Sequence, residues 1–189
     1  MATARKLTDD GLPSGINVDE FLIWYKEQPG RYELHDGTVY AMSPERVGHA
    51  STKFAVQRAL FDAVKRADLP CHVLPDGIAV HVSDRKWYEP DALVYCGPEV
   101  ANDDIKIANP MIIVEVASPS TMRLDKSDKL IGYFAVESVQ HYLIIHIGEA
   151  RIIHHQRQGD GTILTRLLSS GPLRLDPPGI EIDVTELFT

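Results

Sequence analysis

Acidic residues stand in this chain where burial disfavours them, and they are the natural starting point for any chemistry. Glu115 interrupts an otherwise wholly apolar run, Met111-Ile112-Ile113-Val114-Glu115-Val116-Ala117. Such a run reads as a central strand buried on both faces. A carboxylate inside it is costly unless a cation or hydrogen-bond donors meet it. Asp91 opens a second apolar stretch, Ala92-Leu93-Val94-Tyr95, directly after Pro90. Glu33 lies earlier, in Arg31-Tyr32-Glu33-Leu34-His35, where alternation puts Tyr32 and Leu34 on one face and Arg31, Glu33 and His35 on the other. If the two apolar strands are neighbours, Asp91 and Glu115 converge on one divalent cation. Two or three carboxylates plus a backbone carbonyl make a hard-oxygen site for Mg²⁺ or Mn²⁺. That ion polarises a phosphoryl oxygen, acidifies a bound water and stabilises the departing oxygen. A nearby lysine would orient the water and offset the charge on phosphorus; Lys126 and Lys129 follow the Glu115 strand. The structural alternative for Asp91 and Glu115 is a buried ion pair with Arg123 or Lys129.

The elements that would position these groups are legible from periodicity and turn chemistry. Asn17 to Tyr25 predicts a short helix with acidic residues in its first turn. Asp36-Gly37 marks a hairpin. From His49 to Ala67 the period is helical, with Phe54, Val56, Ala59, Leu60, Ala63 and Val64 as the apolar stripe and Lys53, Arg58 and Lys65 off it. Residues 71–82 read as a second hairpin turning at Asp76-Gly77. The two apolar strands follow, then a break at Ser118-Pro119-Ser120, a helix from Leu124 to Val136, a buried strand His141-Tyr142-Leu143-Ile144-Ile145-His146-Ile147, and a β meander ending in a short helical turn. The order predicts an α/β (α+β) fold: a mixed central sheet flanked by helices, with additional hairpins. Residues 1–15, polar and Gly/Pro-containing, read as a flexible lead-in to one domain spanning 16–189.

At this point the segments RYELHDGTVYAMSP, EPDALVY, IIVEVASPST and DKSDKLIGYF, followed by HYLII, resemble the Uma-type family of proposed restriction endonucleases, formerly a domain of unknown function. That family is similar to the PD-(D/E)XK nuclease superfamily. The resemblance runs from about residue 17 to the C-terminus and is most specific from Asn109 to Tyr142. It implies a restriction-endonuclease-like fold and a metal-dependent endonuclease, with Asp91 and Glu115 as metal ligands and Glu33 as the acidic residue of an earlier element. Position 117, where the superfamily expects lysine, is alanine. The resemblance moves that lysine to the following helix, where Asp125, Lys129, Leu130 and Tyr133 fit its pattern. Lys129 is thus the expected catalytic lysine, with Lys126 as the fallback.

Other residues carry weaker signals. His49, at a helix start, is a candidate phosphate contact, as is Lys126. Arg31, Arg46, Lys53 and Arg58 could form a basic rim. Asp125 reads as a helix cap. Ser118 and Ser120 lack the G-x-S-x-G context of a nucleophile. His154 and His155 are adjacent in a strand and point apart, so they do not share an ion easily; His141 and His146 diverge as well. Gly159-Asp160-Gly161 is a hairpin turn, since no helix follows it. Cys71 and Cys96, distant and without a C-x-x-C pair, read as two free buried thiols. The net charge of −8 excludes a protein that coats nucleic acid by bulk electrostatics. It leaves room for a local cleft whose carboxylates a metal neutralises. No apolar run approaches the roughly 20 residues that span a bilayer, and the N-terminus lacks a signal-peptide core, so a cytoplasmic protein without membrane contact is expected. DNA is the expected substrate. Cutting both strands of a duplex suits a homodimer. A nuclease acting on RNA or branched nucleic acid uses the same chemistry. The missing lysine at position 117 and the acidic charge also fit a catalytically inactive interaction module.

Overall fold

Capping and turn residues set the first elements. In this computed structural model, which describes residues 6–117 and 126–188, helix α1 (Val18–Tyr25) begins at Asn17 with a reciprocal cap: the Asn17 side chain accepts from Glu20 N–H at 2.9 Å, and Glu20 accepts from Asn17 N–H at 3.0 Å. Strands β3 (Tyr32–His35) and β4 (Thr38–Ala41) pair antiparallel around Asp36 and Gly37, both at positive φ (48° and 81°), the backbone that a two-residue hairpin demands. The lead-in expected over 1–15 carries two short strands, β1 (Lys6–Leu7) and β2 (Pro13–Ser14), and β2 adds to β4.

Helix α2 (Val47–Ala67) is the longest element. Val56, Leu60, Ala63 and Val64 are buried as expected, but two side chains depart from the expected stripe. Phe54 is 65% exposed and Lys53 only 5% exposed. The face turned to the protein is therefore rotated from the one the apolar residues alone define, because it also carries the polar residues of the site. The predicted hairpin over 71–82 does not form. Strand β5 (Cys71–Pro75) pairs with β8 (Ala92–Cys96), whereas β6 (Val80–Ser83) pairs with β7 (Lys86–Tyr88). The Asp76-Gly77 turn passes the chain from one sheet to another.

Two six-stranded sheets result. The first runs β1-β2-β4-β3-β7-β6. The second uses β9 (Pro110–Ala117), β10 (His141–His146), β11 (Arg151–Arg157) and β12 (Ile163–Leu168), in the order β12-β11-β10-β9-β8-β5. Within it β9 and β10 are parallel, joined across the sheet by helix α3 (Lys126–Ala135), and the other pairs are antiparallel. This is the mixed sheet the sequence predicts, with β9 in its interior. A small hairpin of β13 (Pro172–Leu175) and β14 (Ile180–Asp183) and a final 3-10 turn, Val184–Phe188, close the chain. One face of the second sheet, including Val94, Ile112, Val114, Leu143 and Ile145, packs on α2 and the C-terminal hairpin. The other, with Leu93, Ile113, Tyr142 and Ile144, packs on α3 and on Val80 and Tyr88 of the first sheet. No helix of the described residues is long and apolar enough to cross a membrane.

The cysteines are not free thiols. Cys71 and Cys96 lie directly opposite in the β5–β8 pair and form a disulfide. Their separation of 25 residues gives no hint of this, because strand pairing, not sequence distance, brings them together. Both are half-buried. Ser118, Pro119, Ser120 and Asp125, read as a turn and a cap after β9, lie outside the described residues, as do Arg123, the alternative ion-pair partner, and the side chain of Lys126.

Candidate active site

The short link Glu89-Pro90-Asp91 carries the chain from β7 in the first sheet to β8 in the second, and the site forms beside it. The β8–β9 register pairs Ala92 with Val114 and Leu93 with Ile113; one step further sets Asp91 opposite Glu115. Asp91 is anchored there. Its N–H donates to Val114 O at 3.0 Å, and its Oδ2 accepts from Val116 N–H at 2.7 Å. Glu33 arrives from the first sheet. Its Oε1 accepts from Glu89 N–H at 2.8 Å, and its Oε2 meets His35 Nε2 at 2.9 Å. The His35 ring in turn rests on Tyr88 at 4.6 Å and meets Tyr40 edge-on at 5.2 Å.

Helix α3 supplies the lysine. Lys129 Nζ donates to Glu33 Oε1 at 3.0 Å and to Glu115 Oε1 at 2.8 Å, and Tyr133, one turn on, donates to the same Glu115 oxygen at 2.7 Å. The hydrogen bonds to the Glu115 side chain among the described residues all fall on Oε1. The helix comes this close because residue 132 is glycine: a Cβ there would sit 2.7 Å from Tyr88 Cε2. Glu33, Glu115 and Lys129, expected as one catalytic group, are thus brought together, with Asp91 on the adjoining strand. The ion pair of Glu115 with Lys129, raised as the structural alternative, is present as part of that group.

His49 reaches the site from the start of α2. Its Nε2 hydrogen-bonds Val116 O at 2.8 Å and lies 3.7 Å from Asp91 Oδ2. One turn on, Lys53 donates to Asp76 Oδ2 at 2.8 Å and to Glu45, and lies 3.7 Å from Asp91 Oδ1. Arg31 holds Asp76 at 2.5 Å and also pairs with Glu89. Arg31 and Lys53 therefore belong to an internal ion network, not to an exposed basic rim; Arg46 and Arg58 are exposed.

Six carboxylates, those of Glu33, Glu45, Asp76, Glu89, Asp91 and Glu115, share three permanent cations, Arg31, Lys53 and Lys129. The titration behaviour follows from that surplus. Burial, with the charges of Glu33 and Asp91 added, pushes Glu115 above the usual carboxylate range despite Lys129. Burial also raises Asp91, although the Val116 N–H, His49, Lys53 and Lys129 all favour its anion. Burial acts against the Glu33 anion too, yet Lys129, His35 and the Glu89 N–H outweigh it and hold that carboxyl low. Burial alone would lower Lys129, but Glu115 and Glu33 drive it well above the ordinary lysine value, so it stays charged. Crowded anions of this kind, raised by burial and mutual repulsion, fit a divalent cation, since the ion lowers the cost of ionising them. The donors are also of the required hard kind: carboxylates of Asp91 and Glu115, with the Val116 carbonyl, which has a second lone pair beside the one His49 takes.

Glu45, His35, Asp76 and Glu89 escaped the sequence reading as site residues, and Lys53 entered it only as part of a basic rim. For Glu45 and Lys53 a signal exists: with His49 they recur at intervals of four, one face of a helical turn pattern. For Asp76 and Glu89, which sit in links between sheets, none does.

Residues 18–185 match the profile of the Uma2 family, described as putative restriction endonuclease. Two uncharacterized proteins of Synechocystis sp. are similar along most of their length. One is 24% identical over 175 residues, covering 92% of this chain and 91% of its own. The other is 24% identical over 164 residues, covering 81% and 88%. Among solved structures, a putative nuclease belonging to DUF820 from Anabaena variabilis aligns with a TM-score of 0.70 over 92% of this chain and 97% of its own, at 15% sequence identity. That likeness establishes the fold: the mixed sheet and its helices are those of a nuclease-like domain.

Proposed function

The chain belongs to the Uma2 family of putative restriction endonucleases, and from that premise we propose that it is a Mg²⁺- or Mn²⁺-dependent endonuclease that hydrolyses DNA phosphodiester bonds. Asp91, Glu115 and the Val116 carbonyl hold the cation, with Glu33 assisting. The bound ion supplies Lewis acidity toward a phosphoryl oxygen and lowers the pKa of a coordinated water. Lys129 stays protonated between Glu33 and Glu115, so it orients the attacking water and offsets negative charge developing on phosphorus. Tyr133 and His35 position Glu115 and Glu33 by one hydrogen bond each. Val116 N–H fixes the Asp91 carboxylate against the neighbouring strand.

The observation that supports this reading is the convergence of Lys129 on Glu33 and Glu115 beside Asp91. A lysine from the following helix, reaching back over the sheet, occupies the role that alanine at position 117 leaves open. Two copies acting on the two strands of a duplex would complete a double-strand cut. The test is plasmid nicking by purified protein with Mg²⁺ or Mn²⁺, beside Asp91→Ala and Glu115→Ala. Nicking by the wild type that both variants lose supports the assignment. Equal nicking by all three, or none with either metal, removes it, and the second outcome leaves a non-catalytic domain on a nuclease fold.

A further inference from the structure

On the α2 side of Asp91 lies a second group of donors of different chemistry. One ligand atom each of Glu45, His49 and Asp91 lies within 4.8 Å of the others. The His49 ring is prepared in a particular way. Nε2 faces the Val116 carbonyl at 2.8 Å, and a carbonyl only accepts, so that nitrogen carries the proton. In the neutral ring the lone pair then falls on Nδ1. Nδ1 is buried, has no hydrogen-bond partner among the described residues, and lies 3.9 Å from Glu45 Oε2. A histidine that ligates a metal through one nitrogen characteristically donates from the other to a backbone carbonyl or carboxylate. Here that donor bond is already in place, and the remaining nitrogen is an orphan.

We propose that Glu45, His49 and Asp91 form a separate site for a divalent transition-metal ion such as Mn²⁺, one that uses the imidazole nitrogen of His49. It shares Asp91 with the hydrolytic site proposed above but does not need Glu115. Lys53 serves this corner, contacting Glu45, Asp76 and Asp91 at once. A metal takes over Glu45 and Asp91, and Asp76 keeps Lys53 and Arg31. Imidazole suits transition-metal ions such as Zn²⁺, Fe²⁺ and Ni²⁺, and two carboxylates beside it also suit Mn²⁺, whereas Mg²⁺ favours oxygen ligands and retains its waters, so the site disfavours Mg²⁺.

The experiment is pulsed electron paramagnetic resonance of Mn²⁺ added to the wild type, His49→Gln and Glu115→Gln. Glutamine at 49 keeps an N–H donor for Val116 O, and thermal melting checks that each variant folds. The expected result is nitrogen hyperfine coupling on bound Mn²⁺ in the wild type and in Glu115→Gln, and its loss in His49→Gln. Persistence of the coupling in folded His49→Gln overturns the assignment. So does Mn²⁺ that binds without nitrogen coupling and is lost in Glu115→Gln, an outcome that leaves the oxygen-ligand site standing. Nitrogen-coupled Mn²⁺ in a protein that fails to nick DNA supports this site and rejects the hydrolytic reading instead.

Discussion

Replacing Lys129 with methionine should be among the most damaging single changes this domain can suffer, and the structure gives its scale. The ammonium lies 2.8 Å from a Glu115 oxygen and 3.0 Å from a Glu33 oxygen, with side-chain exposures of 14%, 18% and 5%. At an effective dielectric constant of about 20, each contact carries roughly 6 kcal/mol of gross attraction. Most of that offsets the desolvation of three charges, and the measurable loss on removing one partner of a buried pair is about 3–5 kcal/mol. That is a large part of the 5–15 kcal/mol that holds a typical domain together. Urea unfolding at pH 7.5 in EDTA reads the loss directly. The same argument predicts recovery. Lys129→Met with Glu115→Gln removes one of the stranded anions and leaves an amide oxygen that still accepts from Tyr133, so the double variant should be more stable than Lys129→Met alone by about 2 kcal/mol, a coupling within the range for residues of one network. A Lys129→Met protein within 1 kcal/mol of the wild type, or a double variant less stable than the single one, would refute the claim that these carboxylates depend on that lysine.

Gly132→Ala places a Cβ 2.7 Å from the buried Tyr88 ring and should cost about 1–3 kcal/mol through overpacking, read by thermal melting, while lowering nicking activity by displacing Lys129. A cost of zero would show that α3 does not rest on Tyr88 as described. Acid should weaken the fold through the buried pair His141 and His154, whose Nδ1 and Nε2 share a 2.9 Å hydrogen bond. Burial lowers His141 to about 4 and His154 to about 3. Between pH 6.5 and those values the unfolded chain takes up protons that the folded chain refuses, so stability falls as pH falls, by about 2 kcal/mol per histidine at pH 5. Urea midpoints at pH 7 and pH 5 measure this, and His141→Gln/His154→Gln should flatten the slope; an unchanged slope would assign the acid sensitivity elsewhere.

What the sequence reveals here depends on whether a residue acts through its own element or through a partner. The Asn17 cap, the Asp36-Gly37 turn and the apolar run around Glu115 are local patterns, and each element forms where they place it. Asp91, Glu115, Glu33 and Lys129 are legible because a charge in a buried strand, or a motif at fixed spacing, stands out. Phe54 and Lys53 mislead because hydrophobicity alone misjudges which face of α2 is covered: the buried side must also accommodate Glu45, His49 and Asp91. The Asp76-Gly77 turn looks like a hairpin because nothing local distinguishes a turn that returns to its own strand from one that departs to another sheet. The disulfide is hidden for the same reason, since Cys71 and Cys96 meet only through the β5–β8 pairing.

The three-residue link Glu89-Pro90-Asp91 has an implication for how competence arises. Glu33 reaches its position by gripping the Glu89 N–H, and Asp91 stands two residues along on a different sheet. Neither the β3–β4 hairpin nor the β8–β9 pair alone contains the whole group of Glu33, Asp91, Glu115 and Lys129. In the proposed enzyme, cleavage of phosphodiesters therefore requires both sheets in place, and a clipped form that lacks either one should leave nucleic acid uncut.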